Sequence, residues 1–271
     1  DHLKDNHEAK EYSKEVIDNA MGGFTQVIIE ERLIGEEFTI QAFCDGTHLA
    51  PMPAAQDHPH AFEGDVGAIT GGMGSYSDKG GLLPFLAQDD YDEAVKIMEA
   101  TFKAIAKEAE PYKGILYGQF MLTADGPKLI EYNARFGDPE TQVVLPRMKN
   151  DIVDVFEACI DGTLDQIDLQ FEDNAAVCVV LASDGYPEHY EKGYKITGFE
   201  NFDGKDGYYV FHAGTRFDGE DIVTNGGRVL GVVAKGSDLK AARANAYEAT
   251  KWIQFDNKYM RNDIGKAIDE V

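Results

Sequence analysis

The chain has little cysteine. Cys44, Cys159 and Cys178 stand far apart among 271 residues, odd in number and without a C-x-x-C pair. That argues against a disulfide framework, and a reducing, cytoplasmic setting is the expectation. Long apolar runs are missing as well. No stretch reaches membrane-spanning length, and none reads as a signal peptide. Positive charge is scarce: 25 Lys and Arg stand against 49 Asp and Glu, a formal net charge of −24. Nucleic acid and anionic membranes need clustered Lys or Arg, so neither is an expected partner. Phosphate substrates stay open, because a few local arginines and a bound metal reverse the field locally. The acidity itself reads as a solvated surface, with salt adaptation as the alternative. No G-x-S-x-G and no Cys/His nucleophile arrangement occurs, which sets covalent hydrolase chemistry aside. Internal repeats and low-complexity tracts are absent too.

What is present suffices for two domains with real cores. The chain opens on Asp1 rather than Met, directly on a polar helical stretch over residues 6–20 that Gly22-Gly23 ends. A piece of a larger protein is the expectation. A short strand follows over 26–31, then a bend. Residues 37–44 alternate, with Phe38, Ile40 and Ala42 on one side and Thr39, Gln41 and Phe43 on the other. Asp45-Gly46 signals a hairpin that returns over 48–52. Residues 54–79 show no clean period and are glycine-rich, which predicts a long functional loop. Helical spacing marks 89–110 and 151–160, and a second hairpin turns at Asp125-Gly126-Pro127. Acidic residues over 161–173 read as a linker. Beyond it lie strands over 175–182, 208–213 and 228–234 and a helix over 238–255. The division is expected at 1–165 and 166–271, with a separate α+β unit from about residue 171 and no catalytic residue in it.

Residues 127–145, PKLIEYNARFGDPETQVVL, carry the most chemistry. Glu131 and Asn133 sit two apart on a strand, so both face one side. A carboxylate and a carboxamide oxygen are hard donors of the kind Mg²⁺ prefers. The apolar run before Glu131 predicts partial burial, and an unpaired buried carboxylate needs a cation. The competing partner is a salt bridge, for instance to Arg135. Gln119 on the partner strand is a candidate third oxygen, depending on register. A three-residue loop over 125–127 places it opposite Asn133, whereas a four-residue loop turns it to the other face. The shorter loop is favoured. A second constellation is 27–38, where a strand end exposes backbone groups near Glu31 and Leu33 that could read a purine, with a carboxylate after it for ribose. Plain surface is the competing explanation. The third is the segment from Asp57 to Gly74. Its glycine cluster lets consecutive amides converge on an anion, and Asp57 could hold an ammonium. His58 and His60 lack a third ligand at metal spacing.

Taken together, VIIEERLIGEEF (27–38), PMPAAQDH (51–58), TGGMGSYSD (70–78), IEYNARFGDPETQ (130–142), FHAGT (211–215) and TNGGRVLGV (224–232) resemble the glycinamide ribonucleotide synthetase family of ATP-grasp ligases. The pieces run in the family's order over nearly the whole chain. The resemblance implies an α+β protein: the C-terminal part of an ATP-grasp fold, an antiparallel sheet with flanking helices, then a smaller α+β C-terminal domain whose glycines serve folding. It implies an ATP-dependent carboxylate–amine ligase of purine biosynthesis that joins glycine to 5-phosphoribosylamine through an acyl phosphate. ATP and Mg²⁺ (or Mn²⁺) are the implied cofactors, and small molecules the implied partners. Glu131, Asn133 and Gln119 would hold the metal, although many relatives carry an apolar residue at the Gln119 position. Glu30, Glu31 and Leu33 would line the adenine pocket, and Glu37 would hold the ribose. Asp57, Thr70, Gly71, Gly72 and Gly74 would face glycine and phosphoribosylamine, with Arg135 and Asp138 as catalytic residues. One departure matters. The family's N-terminal domain and its phosphate-covering Gly-rich loop with a lysine have no counterpart here, so full activity is not expected of this chain alone. A non-catalytic nucleotide-binding fragment and a different ATP-grasp ligase are the alternatives.

Overall fold

The computed structural model describes residues 5–20, 23 and 25–266. It divides into two compact units, Asp1–Ile34 and Gly35–Val271. The first holds helix α1 (Asn6–Asp18), whose Asp5 cap accepts from the amides of His7 and Glu8 at 2.7 and 3.0 Å. The helix stops at Asp18, short of the glycine pair expected to end it; Gly22 lies outside the described residues. Residues 26–34 follow without a ladder, so the strand expected over 26–31 is not formed. A strand exists only by pairing its N–H and C=O groups, and no described residue pairs with this segment.

The second unit is built on two antiparallel sheets. The first orders β2 (Leu49–Pro51), β1 (Glu36–Asp45), β7 (Lys113–Thr123) and β8 (Gly126–Asn133). The alternation in β1 is the cause: Phe38, Ile40 and Ala42 turn to one side, where Phe38 stacks on Phe120 with ring centroids 5.4 Å apart. Helix α2 (Gln88–Glu108) covers that side with Ala94, Met98 and Phe102, each four residues from the next. Gly118 of β7 permits the close fit, since a Cβ there would lie 2.7 Å from the Phe120 ring and 3.3 Å from Met98 Sδ.

The segment expected to be a loop over 54–79 instead contains β3 (Gln56–Asp57), β4 (His60–Phe62), β5 (Val66–Ile69) and β6 (Gly74–Ser77). Strands this short, one of them buried at every residue, leave no period to read. β3 and β6 then enter the second sheet, which orders β10 (Tyr208–His212), β13 (Arg228–Gly236), β9 (Ala175–Ser183), β6 and β3, with β14 (Lys258–Tyr259) on the end of β9. β9 is buried throughout and runs Ala-Ala-Val-Cys-Val-Val-Leu-Ala-Ser, as a central strand covered on both sides should. Helix α5 (Leu239–Thr250) packs on this sheet through Ala242, Ala246 and Ala249. β11 (Thr215–Asp218) and β12 (Asp221–Thr224) form a separate hairpin.

Between β8 and β9 lie the short helix α3 (Thr141–Val144) and helix α4 (Ile152–Asp161). The acidic stretch expected as a linker is packed. It carries a 3₁₀ turn at Leu164–Gln166, and the Leu164 amide donates to buried Asp45 at 3.0 Å. The division expected at 165/166 is crossed by strand pairing, because β6 pairs with β9. One core cluster joins Phe38, Ile40 and Phe120 to Val177, Val179 and Ala234, so the two sheets share their interior. Among the described residues no helix is long and apolar enough to cross a membrane.

Candidate active site

The face of the first sheet opposite α2 is polar. It carries Glu37, Thr39 and Gln41 from β1, Tyr117 and Gln119 from β7, and Glu131 and Asn133 from β8. Gln119 stands opposite Glu131 and Tyr117 opposite Asn133, two residues from the expected register but on the expected face. The cause is local. Thr123 pairs with Gly126, so the hairpin turns on two residues, 124 and 125, rather than on 125–127. That turn alone would set Gln119 against Ile130 and face it the wrong way. A bulge at Ile130 adds one residue and restores the parity. It also lets Leu129 pack on the core while Glu131, two residues on, faces the polar side.

Asn133 Nδ2 donates to Glu131 Oε1 at 2.8 Å, and Gln119 Nε2 donates to Glu37 Oε2 at 2.9 Å. Glu37, expected at the ribose, is therefore joined to the metal-side cluster. Glu131 is exposed, so the argument from its burial does not hold. Among the described residues no group of three His, Cys, Asp or Glu could hold a metal alone. Mg²⁺ requires none, because it keeps waters and phosphate oxygens beside one or two carboxylates. Two carboxylates and two carboxamides on one face fit such a shared cation.

Beside this face stand two further carboxylates, the half-buried Asp57 and the buried Glu140. Burial pushes the Asp57 carboxyl up from 3.8 to about 8, helped by the neighbouring Glu140 and Glu37. Burial also raises Glu140, partly offset by its hydrogen bond from Tyr117. The contacts form a chain: Thr39 Oγ1 donates to the Tyr117 hydroxyl at 3.0 Å, which donates to Glu140 Oε1 at 2.5 Å. Gln41 Oε1 accepts from the Gly137 amide at 2.7 Å and from the Thr141 hydroxyl at 3.2 Å. These contacts fasten the turn that carries Arg135 and Asp138 to the sheet. Gly137 is required there, since a Cβ would lie 2.7 Å from both Glu140 Oε2 and Tyr117 Cε2. The Arg135 guanidinium lies 5.6 Å from the centre of the Tyr117 ring. Gln41 Nε2 is a buried donor with no protein acceptor among the described residues.

The glycine loop is not the anion cradle its sequence suggested. Its amides are taken: Thr70 N donates to Pro59 O at 2.7 Å, Gly71 N to the Tyr186 hydroxyl at 3.4 Å, Gly72 N to Thr70 Oγ1 at 3.0 Å and Met73 N to His58 O at 2.8 Å. The glycines serve close packing instead. A Cβ on Gly72, which has φ +103°, would lie 2.5 Å from Pro139 Cδ, and one on Gly74 would lie 2.7 Å from Cys178 O. The loop carbonyls turn to Arg228 of β13, which also pairs with Asp138 at 3.2 Å. His58 and His60 are structural here: His58 Nε2 accepts from the Gly265 amide at 3.2 Å, and the His60 ring meets Gly67 O at 3.0 Å. Glu30, Glu31 and Leu33 lie in the first unit, in a segment without regular secondary structure.

Sequence reasoning named no role for Thr39, Gln41, Tyr117, Glu140 or Arg228. The first two were legible in principle, as polar residues alternating with Phe38, Ile40 and Ala42 inside a strand buried on both faces. Arg228 had no local signal.

An antiparallel sheet with a polar, acidic face above a helix-covered core, followed by a second sheet, is the architecture of an ATP-grasp protein. The sequence profile described as phosphoribosylglycinamide synthetase, ATP-grasp (A) domain, matches residues 3–141, and that of the same synthetase's C domain matches 176–267. The chain belongs to the phosphoribosylglycinamide synthetase family. A phosphoribosylamine–glycine ligase from Methanobrevibacter smithii is 69% identical over 265 residues, covering 98% of this chain and 60% of that protein. One from Methanosphaera stadtmanae is 54% identical over all of this chain and 61% of its own length. The crystal structure of a phosphoribosylamine–glycine ligase from Thermotoga maritima superposes with a TM-score of 0.83 at 31% identity, over 97% of this chain and 64% of that one. The chain thus spans about 60% of the length of the curated relatives it matches.

Proposed function

We propose that this chain forms the metal-binding and substrate side of an ATP-dependent ligase that joins glycine to 5-phosphoribosylamine through a glycyl phosphate, giving glycinamide ribonucleotide, ADP and phosphate. The relatives' names support the reaction. The observation that carries the assignment to this face is the array of Glu131, Asn133, Gln119 and Glu37 beside the half-buried Asp57 and the buried Glu140. Glu131 and Asn133 would hold Mg²⁺ or Mn²⁺, with Gln119 or Glu37 adding an oxygen. An ion held there would supply positive charge to offset the negative charge gathering on the transferring phosphoryl. Arg135, held over Tyr117, supplies a second positive charge on the same face. An ammonium beside Asp57 would offset the repulsion from Glu140 and Glu37. Glu30, Glu31 and Leu33 would contact adenine. The substrates are small molecules, and the setting is the cytoplasm. The division into 1–165 and 166–271 is proposed as one of sequence regions, whose strands interleave in the fold.

The test is product formation. Full protein incubated with ATP, glycine and 5-phosphoribosylamine should yield glycinamide ribonucleotide and ADP in equal amounts by mass spectrometry. Binding of the metal–ATP complex without product would favour the non-catalytic alternative, and ATP use independent of glycine would point to another ligase.

A further inference from the structure

The C-terminal region reaches the glycine turn through Arg228 and Tyr186. Arg228 begins β13, on the second sheet, and its guanidinium contacts both the turn after β8, at Asp138, and the Gly71–Gly72 turn between β5 and β6. Nη1 donates to Gly71 O at 2.6 Å, Gly72 O at 3.3 Å, Asp138 O at 2.8 Å and Asp138 Oδ1 at 3.4 Å; Nη2 donates to Asp138 Oδ2 at 3.2 Å. Its neighbour Gly227 leaves room for the Tyr186 ring, because a Cβ there would lie 1.9 Å from Tyr186 Cδ2. The Tyr186 hydroxyl then meets the Gly71 amide at 3.4 Å, so this region holds the Gly71 residue by its N–H and its C=O together. Gly71 is matched to this contact, since a Cβ would lie 2.8 Å from Arg228 Nη2. A planar fork serving three carbonyls and a carboxylate fixes direction in a way that a lysine cannot.

We infer that Arg228 is a positioning residue of the substrate side of the site, setting the Asp138 carboxylate and the Gly71–Gly72 backbone in one arrangement. The inference rests on the proposed ligase activity for its kinetic consequence, and on geometry alone for the clamp. It gives the C-terminal region a part in substrate binding that its sequence did not announce. Arg228 acts through Asp138 and the loop and takes no part in bond making.

The experiment uses full protein with Arg228→Met, Arg228→Lys, Gly71→Ala, Asp138→Asn and the Arg228→Met/Asp138→Asn double variant. Arg228→Met should raise the KM for glycine or phosphoribosylamine about 10-fold or more, leave the KM for ATP within about 2-fold, and combine non-additively with Asp138→Asn. Arg228→Lys should recover only part of the loss, and Gly71→Ala should shift the same KM in the same direction. Hydrogen exchange should quicken over residues 70–73 and 136–140 in Arg228→Met. Unchanged KM values for both amine-bearing substrates, or additive effects with Asp138→Asn, would overturn the kinetic part. Unchanged exchange would overturn the clamp whether or not the protein is active. An inactive native protein with quickened exchange in the variant would sink the ligase reading and leave the clamp standing.

Discussion

Asp57 shows how one residue can couple folding to ligand binding. It is held near Glu140 and Glu37, and burial is the largest cause of its raised pKa. In the folded, ligand-free protein the carboxyl titrates at about 8 against 3.8 ordinarily. Between those values the unfolded chain has lost the proton that the folded chain keeps. Stability from this group is therefore complete below about pH 4, falls as pH rises towards about 8, and levels off above it. Melting temperatures measured from about pH 5 to about pH 8 should fall less steeply in Asp57→Asn than in the native protein. Parallel curves for the two proteins would contradict the assignment. The sequence marked Asp57 as a candidate, because a carboxylate beside a glycine-rich turn could meet an ammonium. Its closeness to Glu140 was not legible, since 83 positions separate them in the sequence.

At the scale of elements, the strands that alternate cleanly were readable and the ones that do not were missed. β1 and β8 declared their faces through Phe38/Ile40 against Thr39/Gln41 and through Glu131/Asn133. The bulge at Ile130 had no sequence mark, because Leu129-Ile130-Glu131 reads as an unbroken run. The β4–β5 hairpin was hidden for another reason: much of its support comes from residues nearly 200 positions away. Arg261, fully buried, donates from Nη2 to Asp263 Oδ2 at 2.7 Å and from Nη1 to His60 O at 2.9 Å, and pairs with Asp65 Oδ1 at 2.8 Å. The Gly64 amide donates to Asp263 Oδ2 at 2.7 Å, which closes the latch. Arg261→Met removes the charged hydrogen bonds to the partly buried Asp263 and should cost about 1.5–3 kcal/mol in urea unfolding. A loss below about 1 kcal/mol would show the latch to be incidental.

At the scale of the whole chain, the polar face of the first sheet and the turns that border it depend on the second sheet. β6 carries the end of the glycine loop into pairing with β9, and Arg228 of β13 returns to grip that loop. The family resemblance foretold the two regions; it did not foretell that they interleave, because strand exchange between them leaves no periodic trace. The central claim is that Glu131 and Asn133 hold a cation shared with the phosphates of ATP. Glu131→Gln keeps the shape and the hydrogen bond but removes the charge. The decisive measurement is the turnover of this variant against the native protein, in full protein with ATP, glycine and 5-phosphoribosylamine at saturating Mg²⁺. Turnover should fall at least about 100-fold, the scale for loss of one preorganised electrostatic element. Near-native turnover would place the metal elsewhere and contradict the account.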